Sequence, residues 1–207
     1  MPYRDVEQLV NERLRRNWGR PVRPIPSPGE TSPIHQLIEN VREDSVEEDW
    51  SDIIERCKSH PHEAAQLDRR GGSCLHAACA KNPPVAVVSA LLQACRRSGD
   101  IILERDKSGR TPLMIAINSN SNLSVIDSLL KSCQRAATVH DHSGHLPLHL
   151  ASSTGSNADD QSEVIRLLLE SYPEAAGRES NNGRTPLQCA IDARASSGVI
   201  EQLVRGK

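Results

Sequence analysis

Residues 106–117 read DKSGRTPLMIAI, and residues 141–152 read DHSGHLPLHLAS. The same pattern starts at Asp68 (DRRGGSCLHAAC) and at Ser180 (SNNGRTPLQCAI), so that Gly71, Gly109, Gly144 and Gly183 stand 38, 35 and 39 residues apart. Each block is followed by a more aliphatic one: VAVVSALLQAC from Val85, LSVIDSLLKSC from Leu123, EVIRLLLESY from Glu163 and GVIEQLV from Gly198. Two alternating blocks repeated four times mean a repeat architecture, and the period sets the fold before any single helix or strand does.

Each piece has a mechanical reading. In D-x-x-G the Asp closes a turn onto nearby backbone N–H groups, and the Gly allows a positive φ at its tip. In T-P-L, Thr111 or Thr185 caps a helix whose first position is Pro, where a missing N–H is harmless. Leu113 and Ala116, three apart, share a face of that short first helix, and Leu75/Ala78, Leu148/Ala151 and Leu187/Ala190 repeat the pair. The second helix carries Val87/Val88/Leu91/Leu92, Val125/Ile126/Leu129/Leu130, Val164/Ile165/Leu168/Leu169 and Val199/Ile200/Leu203/Val204. That spacing makes an apolar stripe wide enough to meet neighbours on two sides, so successive helix pairs must stack.

The T-P-L-H-x-A signature resembles that of ankyrin-repeat proteins. The resemblance covers about residues 33–207 and is carried by Thr111-Pro112-Leu113, Leu148-His149-Leu150-Ala151, Leu75-His76-Ala77-Ala78 and Thr185-Pro186-Leu187. The long period, against the usual ~33, and stretches such as SYPEAAGRESNNGRTPL are most similar to the divergent ankyrin arrays of microalgae. The resemblance implies an all-α solenoid of stacked helix pairs with projecting turns. Departures from the family pattern are also visible. Cys74 stands in the Pro slot, and Met114 and Gln188 stand in the His slot. The usual inter-helix Gly is missing from AKNPP (80–84) and NSNSN (118–122), which predicts less regular geometry, and SSTGSNADDQ (152–161) is an insertion between the helices of the third copy.

Upstream, Ser32-Pro33-Ile34-His35 mimics the start of a first helix, and Trp50/Ile53/Ile54/Cys57 mimics a second. The expected organisation is therefore a capping unit at 33–67 and four repeats starting near 68, 106, 141 and 180. The stretch Glu39–Glu55, with eight acids against one Arg, suits a cap face that meets water. Residues 1–32 read as an N-terminal arm: Val6, Leu9, Val10 and Leu14 allow a short amphipathic helix, followed by a linker held extended by Pro21, Pro24, Pro26 and Pro28.

Composition narrows the function. The sequence has 207 residues, no Phe, two Trp and two Tyr, so aromatic platforms for bases are nearly excluded. Charge balances at 25 basic against 27 acidic residues, giving no global field for nucleic acid or an anionic membrane. No window approaches the ~20 apolar residues needed to span a bilayer, and MPYRDVEQLVNERLRRNW lacks the apolar core of a secretory signal. The expected compartment is the cytoplasm, with the nucleus as the alternative. Cys57, Cys74, Cys79, Cys95, Cys133 and Cys189 form no CxxC pair and read as free thiols; Cys57, Cys95 and Cys133, spaced 38 and 38, fit small core residues at helix ends.

Phosphate-loop, dinucleotide, nucleophile-elbow and zincin motifs are absent. Cys74 with His76 is the nearest thing to a nucleophile pair, but both occupy structural slots of the repeat. His140, His142, His145 and His149 invite a metal, yet His149 fills the family's structural His slot and no carboxylate or thiol set completes four ligands. Neither catalytic nor metal nor cofactor residues are therefore expected. The turn tips carry Arg69, Arg70, Lys107, Arg110, His142, His145, Asn182 and Arg184. Such residues suit any solvated turn. In ankyrin arrays the tips also line one edge of the binding surface, and here that row would engage an acidic protein segment. The resulting expectation is a monomeric protein-interaction module or scaffold that binds through turn tips and first-helix surface. Alternatives are an adaptor subunit of a larger enzyme complex and, from a different class, a metal- or cysteine-dependent enzyme.

Overall fold

Three aspartates fold the chain back on itself. Asp68 Oδ1 accepts from the N–H groups of Arg70 and Gly72, Asp106 Oδ1 from Ser108 and Arg110, and Asp141 Oδ1 from Ser143 and His145, all at 2.7–2.9 Å. Gly71, Gly109, Gly144 and Gly183 sit in these turns at φ of 72°, 78°, 77° and 71°. The fourth turn has Ser180 where the others have Asp; its Oγ is buried and bonds to no protein group, and the backbone pair Ser180 N–H to Arg184 O at 2.8 Å holds the hairpin. Successive turns are joined edge to edge: Lys107 N–H donates to Arg70 O, His142 N–H to Ser108 O and Asn181 N–H to Ser143 O at 2.9–3.1 Å.

The computed structural model describes residues 32–41, 47–95, 101–154 and 158–206, within a unit spanning Thr31–Lys207. The arm helix and Pro-rich linker expected before residue 32 lie outside the described residues. Helix pairs follow one another along the chain: α1 (Pro33–Asn40) with α2 (Glu47–Ser59), α3 (Cys74–Cys79) with α4 (Val85–Cys95), α5 (Pro112–Asn118) with α6 (Leu123–Ser132), α7 (Pro147–Ser153) with α8 (Ala158–Ser171), and α9 (Pro186–Asp192) with α10 (Ser197–Arg205). Short 3₁₀ turns, Pro61–Ala65, Gln134–Thr138 and Pro173–Gly177, close the first, third and fourth pairs and bury Ala64, Ala136, Ala137, Ala175 and Ala176.

The caps are those the sequence specifies. Thr111 Oγ1 accepts from Met114 N–H, Thr185 Oγ1 from Gln188 N–H and Ser32 Oγ from His35 N–H. Ser32, which composition groups with the arm, is thus the N-cap of α1. Ile53, Leu91, Leu129 and Leu168 are fully or almost fully buried, as the stacking argument requires. The last pair supplies an internal control. Ile191 and Val204 are 55% and 54% exposed, while Ile117 and Leu130, which hold the same places two pairs earlier, are 3% and 5% exposed beneath the following pair.

Two expectations change. The left-handed positions between helices are filled without glycine: Asn82, Asn120 and Arg194 adopt φ of 48°, 50° and 55°. Asn tolerates this region because its short amide bonds locally, and Asn82 Oδ1 accepts from Asn122 N–H of the next loop at 2.7 Å. The loops after α3, α5 and α9 thus share a left-handed position although none has Gly there. The insertion 152–161 is not a long loop either. Ser152 and Ser153 finish α7, and Ala158–Gln161 lengthen α8 to 14 residues. Buried Gln161 causes this by donating its amide to Ala151 O at 2.9 Å and Thr154 O at 2.6 Å, satisfying carbonyls left open at the end of α7.

Histidine struts tie three of the first helices, α1, α3 and α7, to the next turn. Ser73 N–H donates to His76 Nδ1, which puts the ring proton on Nε2, and Nε2 donates to Arg110 O at 3.0 Å. His149 repeats this between Leu146 N–H and Arg184 O, and His35 Nε2 reaches Gly72 O at 3.2 Å. Met114 takes the His position in α5 and has no N–H to offer the third turn. At that same junction, between the α5–α6 and α7–α8 pairs, clefts of about 460 and 930 Å³ open on the loop side and between α6 and α8.

Leu129→Ala is expected to cost ~2–5 kcal/mol in chemical denaturation, against roughly zero for the exposed Val204→Ala. Gly144→Ala should lower the unfolding midpoint more than Gly183→Ala. Both put a Cβ at positive φ, but only at Gly144 would it press within 2.7 Å of the next turn's backbone, at Asn181 N, whereas nothing lies within 4 Å at Gly183. Burial holds the pKa of His35, His76 and His149 below the ordinary 6.5, outweighing the carbonyl bonds that favour the charged ring. The unfolded chain therefore binds more protons as pH drops below 6.5, so stability present above that value should be lost as pH falls toward the folded-state pKa values. Replacing His76 and His149 by Gln should flatten that fall in thermal melts between pH 7 and 5.

Candidate functional site

The turn tips expected to form a row do so, because the edge-to-edge backbone bonds set them in register. Their side chains fall into three groups. Arg69, Arg70 and Lys107 are solvent-exposed on the first two tips. Arg110 folds back onto its own turn, with Nε and Nη2 on Asp106 Oδ2 at 3.1 and 2.9 Å. Partial burial opposes the Asp106 charge, but the backbone and guanidinium of Arg110 and the Ser108 N–H outweigh it and hold this carboxyl below its usual range. Arg184 likewise forms an ion pair with Asp192 on α9.

The third and fourth tips are closer to neutral. Exposed His142 lies over Gly109, and its carbonyl accepts from the Asn181 amide at 3.0 Å. His145 Nδ1 stands 3.5 Å from Asp141 Oδ2, and its ring centroid is 5.8 Å from that of His149. Asn182 is exposed at the last tip. The positive charge of the row is therefore concentrated at Arg70 and Lys107, whose backbones are bonded to each other at 2.9 Å.

Beside the tips, first helices form the floor of the surface. Ala77, Ile115 and Leu150 are half-buried at equivalent places, and Cys189 follows on α9. Between α7 and α9 the floor sinks into a depression of about 430 Å³, bordered by His145, Asn182 and Arg184 from the tips and by Leu150, Cys189 and Ala193 from the helices. The sequence reading missed this floor. Its signal is the fourth residue of these first helices, where Cys189 stands in place of the branched Ile115 and Leu150.

Chemistry finds little support in the geometry. Cys74 is fully buried, and burial pushes its thiol up to about 12, the opposite of an activated nucleophile. Its sulfur lies 3.1 Å from His35 Nδ1 and 3.5 Å from Ser32 Oγ, not against His76, whose nitrogens serve Ser73 and Arg110. The six cysteines are all free; Cys57 and Cys95 are buried and Cys133 half-buried at the helix ends. Among the described residues no group of three or more His, Cys, Asp or Glu side chains is placed to hold a metal ion, and no helix is long and apolar enough to cross a membrane.

The family model for ankyrin repeats, described as three copies, matches residues 43–136 and 118–207. A search of curated proteins gives no match. Ankyrin repeats generally serve as protein–protein interaction modules and are typically non-catalytic. On four turns, five stacked helix pairs and this match, the chain belongs to the ankyrin-repeat family.

Proposed function

We propose that this array binds a partner protein through its turn tips and first-helix surface, and that the segment it binds is acidic. The reading is carried by one observation: Arg70 and Lys107 are exposed on adjacent, backbone-bonded tips, while Arg110 and Arg184 are already paired with Asp106 and Asp192. The bonded tips hold the backbones that carry these cations, so carboxylates meet them without the entropy of ordering a loop first. Each exposed pair is worth only ~0.2–1 kcal/mol, so affinity must come from several contacts along the row and its floor. His142, His145 and Asn182 contribute hydrogen-bonding groups farther along. The array acts as a monomeric scaffold without cofactor or chemistry, in the cytoplasm or nucleus, and its role in an adaptor subunit would use the same surface.

The test uses the chain as bait, with Arg70→Glu/Lys107→Glu as the matched variant and circular dichroism confirming that both are folded. At least one protein should be retained by the original chain and lost by the variant, with affinity that falls at least several-fold between 50 and 300 mM salt. Identical partners for both chains, bound equally well at both salt concentrations, would reject the tips as the site.

A further inference from the structure

The floor of the surface is not uniform, and a depression in it lies away from Arg70 and Lys107. Equivalent places on the first helices hold Ala77, Ile115, Leu150 and Cys189. This depression of about 430 Å³ lies between α7 and α9, where Cys189 reaches one atom beyond Cβ and Leu150 of the preceding helix three. Its exposed lining is mainly apolar. Leu150, Cys189 and Ala193 floor it, and the His145 and His149 rings wall it. His149 is committed as a strut to Arg184 O. At the rim Arg184 and Asp192 neutralise each other, so a carboxylate gains nothing by entering. An apolar group does gain, since it exchanges water for thiol, aliphatic and ring surface.

We propose that the partner segment is bipartite: acidic residues against Arg70 and Lys107, and one aliphatic side chain seated in the depression between α7 and α9. The inference rests on the tip-binding reading of the preceding subsection and adds the anchor that gives it specificity, since a buried apolar anchor discriminates among acidic segments that exposed charge pairs accept alike. Two steps of the stack separate the parts, each ~8–10 Å. The acids and the aliphatic residue are then roughly 20 Å apart, about six residues of extended chain at ~3.3 Å each.

Synthetic peptides test this directly. Each carries four glutamates, a six-residue Gly/Ser spacer and a terminal Leu or Ala, made in both chain directions, with glutamine-for-glutamate versions as controls. By fluorescence anisotropy the Leu peptide should bind about five- to tenfold more tightly than its Ala twin in one direction. Cys189→Leu, which installs the side chain that Leu150 places on the preceding helix, should erase that advantage while glutamate-dependent binding persists. Ala193→Leu at the edge of the depression fills it by a second route and should do the same, with circular dichroism verifying both folds. Equal binding of Leu and Ala peptides in both directions, or a Leu advantage that survives both filled variants, would overturn the anchor and leave the tip reading intact. Loss of any difference between glutamate and glutamine peptides would instead overturn the tip reading and the anchor with it.

Discussion

Everything in this array depends on lateral burial: each helix pair has too much apolar surface to hide by itself and hides it against the next pair. Leu91, Leu129 and Leu168 vanish from solvent because a neighbour covers them, and Ile191 and Val204 show what the same positions look like when no described pair follows. A core built this way contains no central globule. It is a row of similar interfaces made almost entirely of Leu, Ile, Val, Ala and Cys, which is why a chain without Phe can fold at all.

Polar bonds set the register of these greasy interfaces. The aspartates shape each turn, and the backbone links between tips and the histidine struts bridge from one repeat to the next, using groups that would be costly to leave unpaired once buried. They determine how far each pair advances, and so where the tip side chains stand. A binding surface on such a scaffold is pre-organised by the same bonds that hold the stack.

Much of this was legible in the residues. Turn closure by Asp, capping by Thr111 and Thr185 and the burial of Leu129 follow from spacing that repeats in register, while the strut role of His149 came from the family resemblance. What escaped the sequence involves partners distant along the chain or side-chain reach. Asn82 and Asn120 substitute for glycine through their tolerance of left-handed backbone, and Gln161 converts an apparent loop into a helical extension. Cys74 meets His35, 39 residues away, and not the nearby His76. The eight tip residues were visible as a row, but the neutralisation of Arg110 and Arg184 depends on the direction each guanidinium takes, and spacing does not encode that.

The substitution of Met114 for a strut histidine has a mechanical consequence. The link between the second and third turns lacks the imidazole tie and is flanked by two clefts, and Arg105 spans it instead, donating through Nε to Gly109 O at 3.0 Å and through Nη2 to His140 O at 2.7 Å. The Lys107 tip and the Cys189 hollow lie on opposite sides of that joint. Their separation is therefore held at that joint by an exposed guanidinium and the His142–Ser108 backbone bond, where the joints on either side use a buried imidazole.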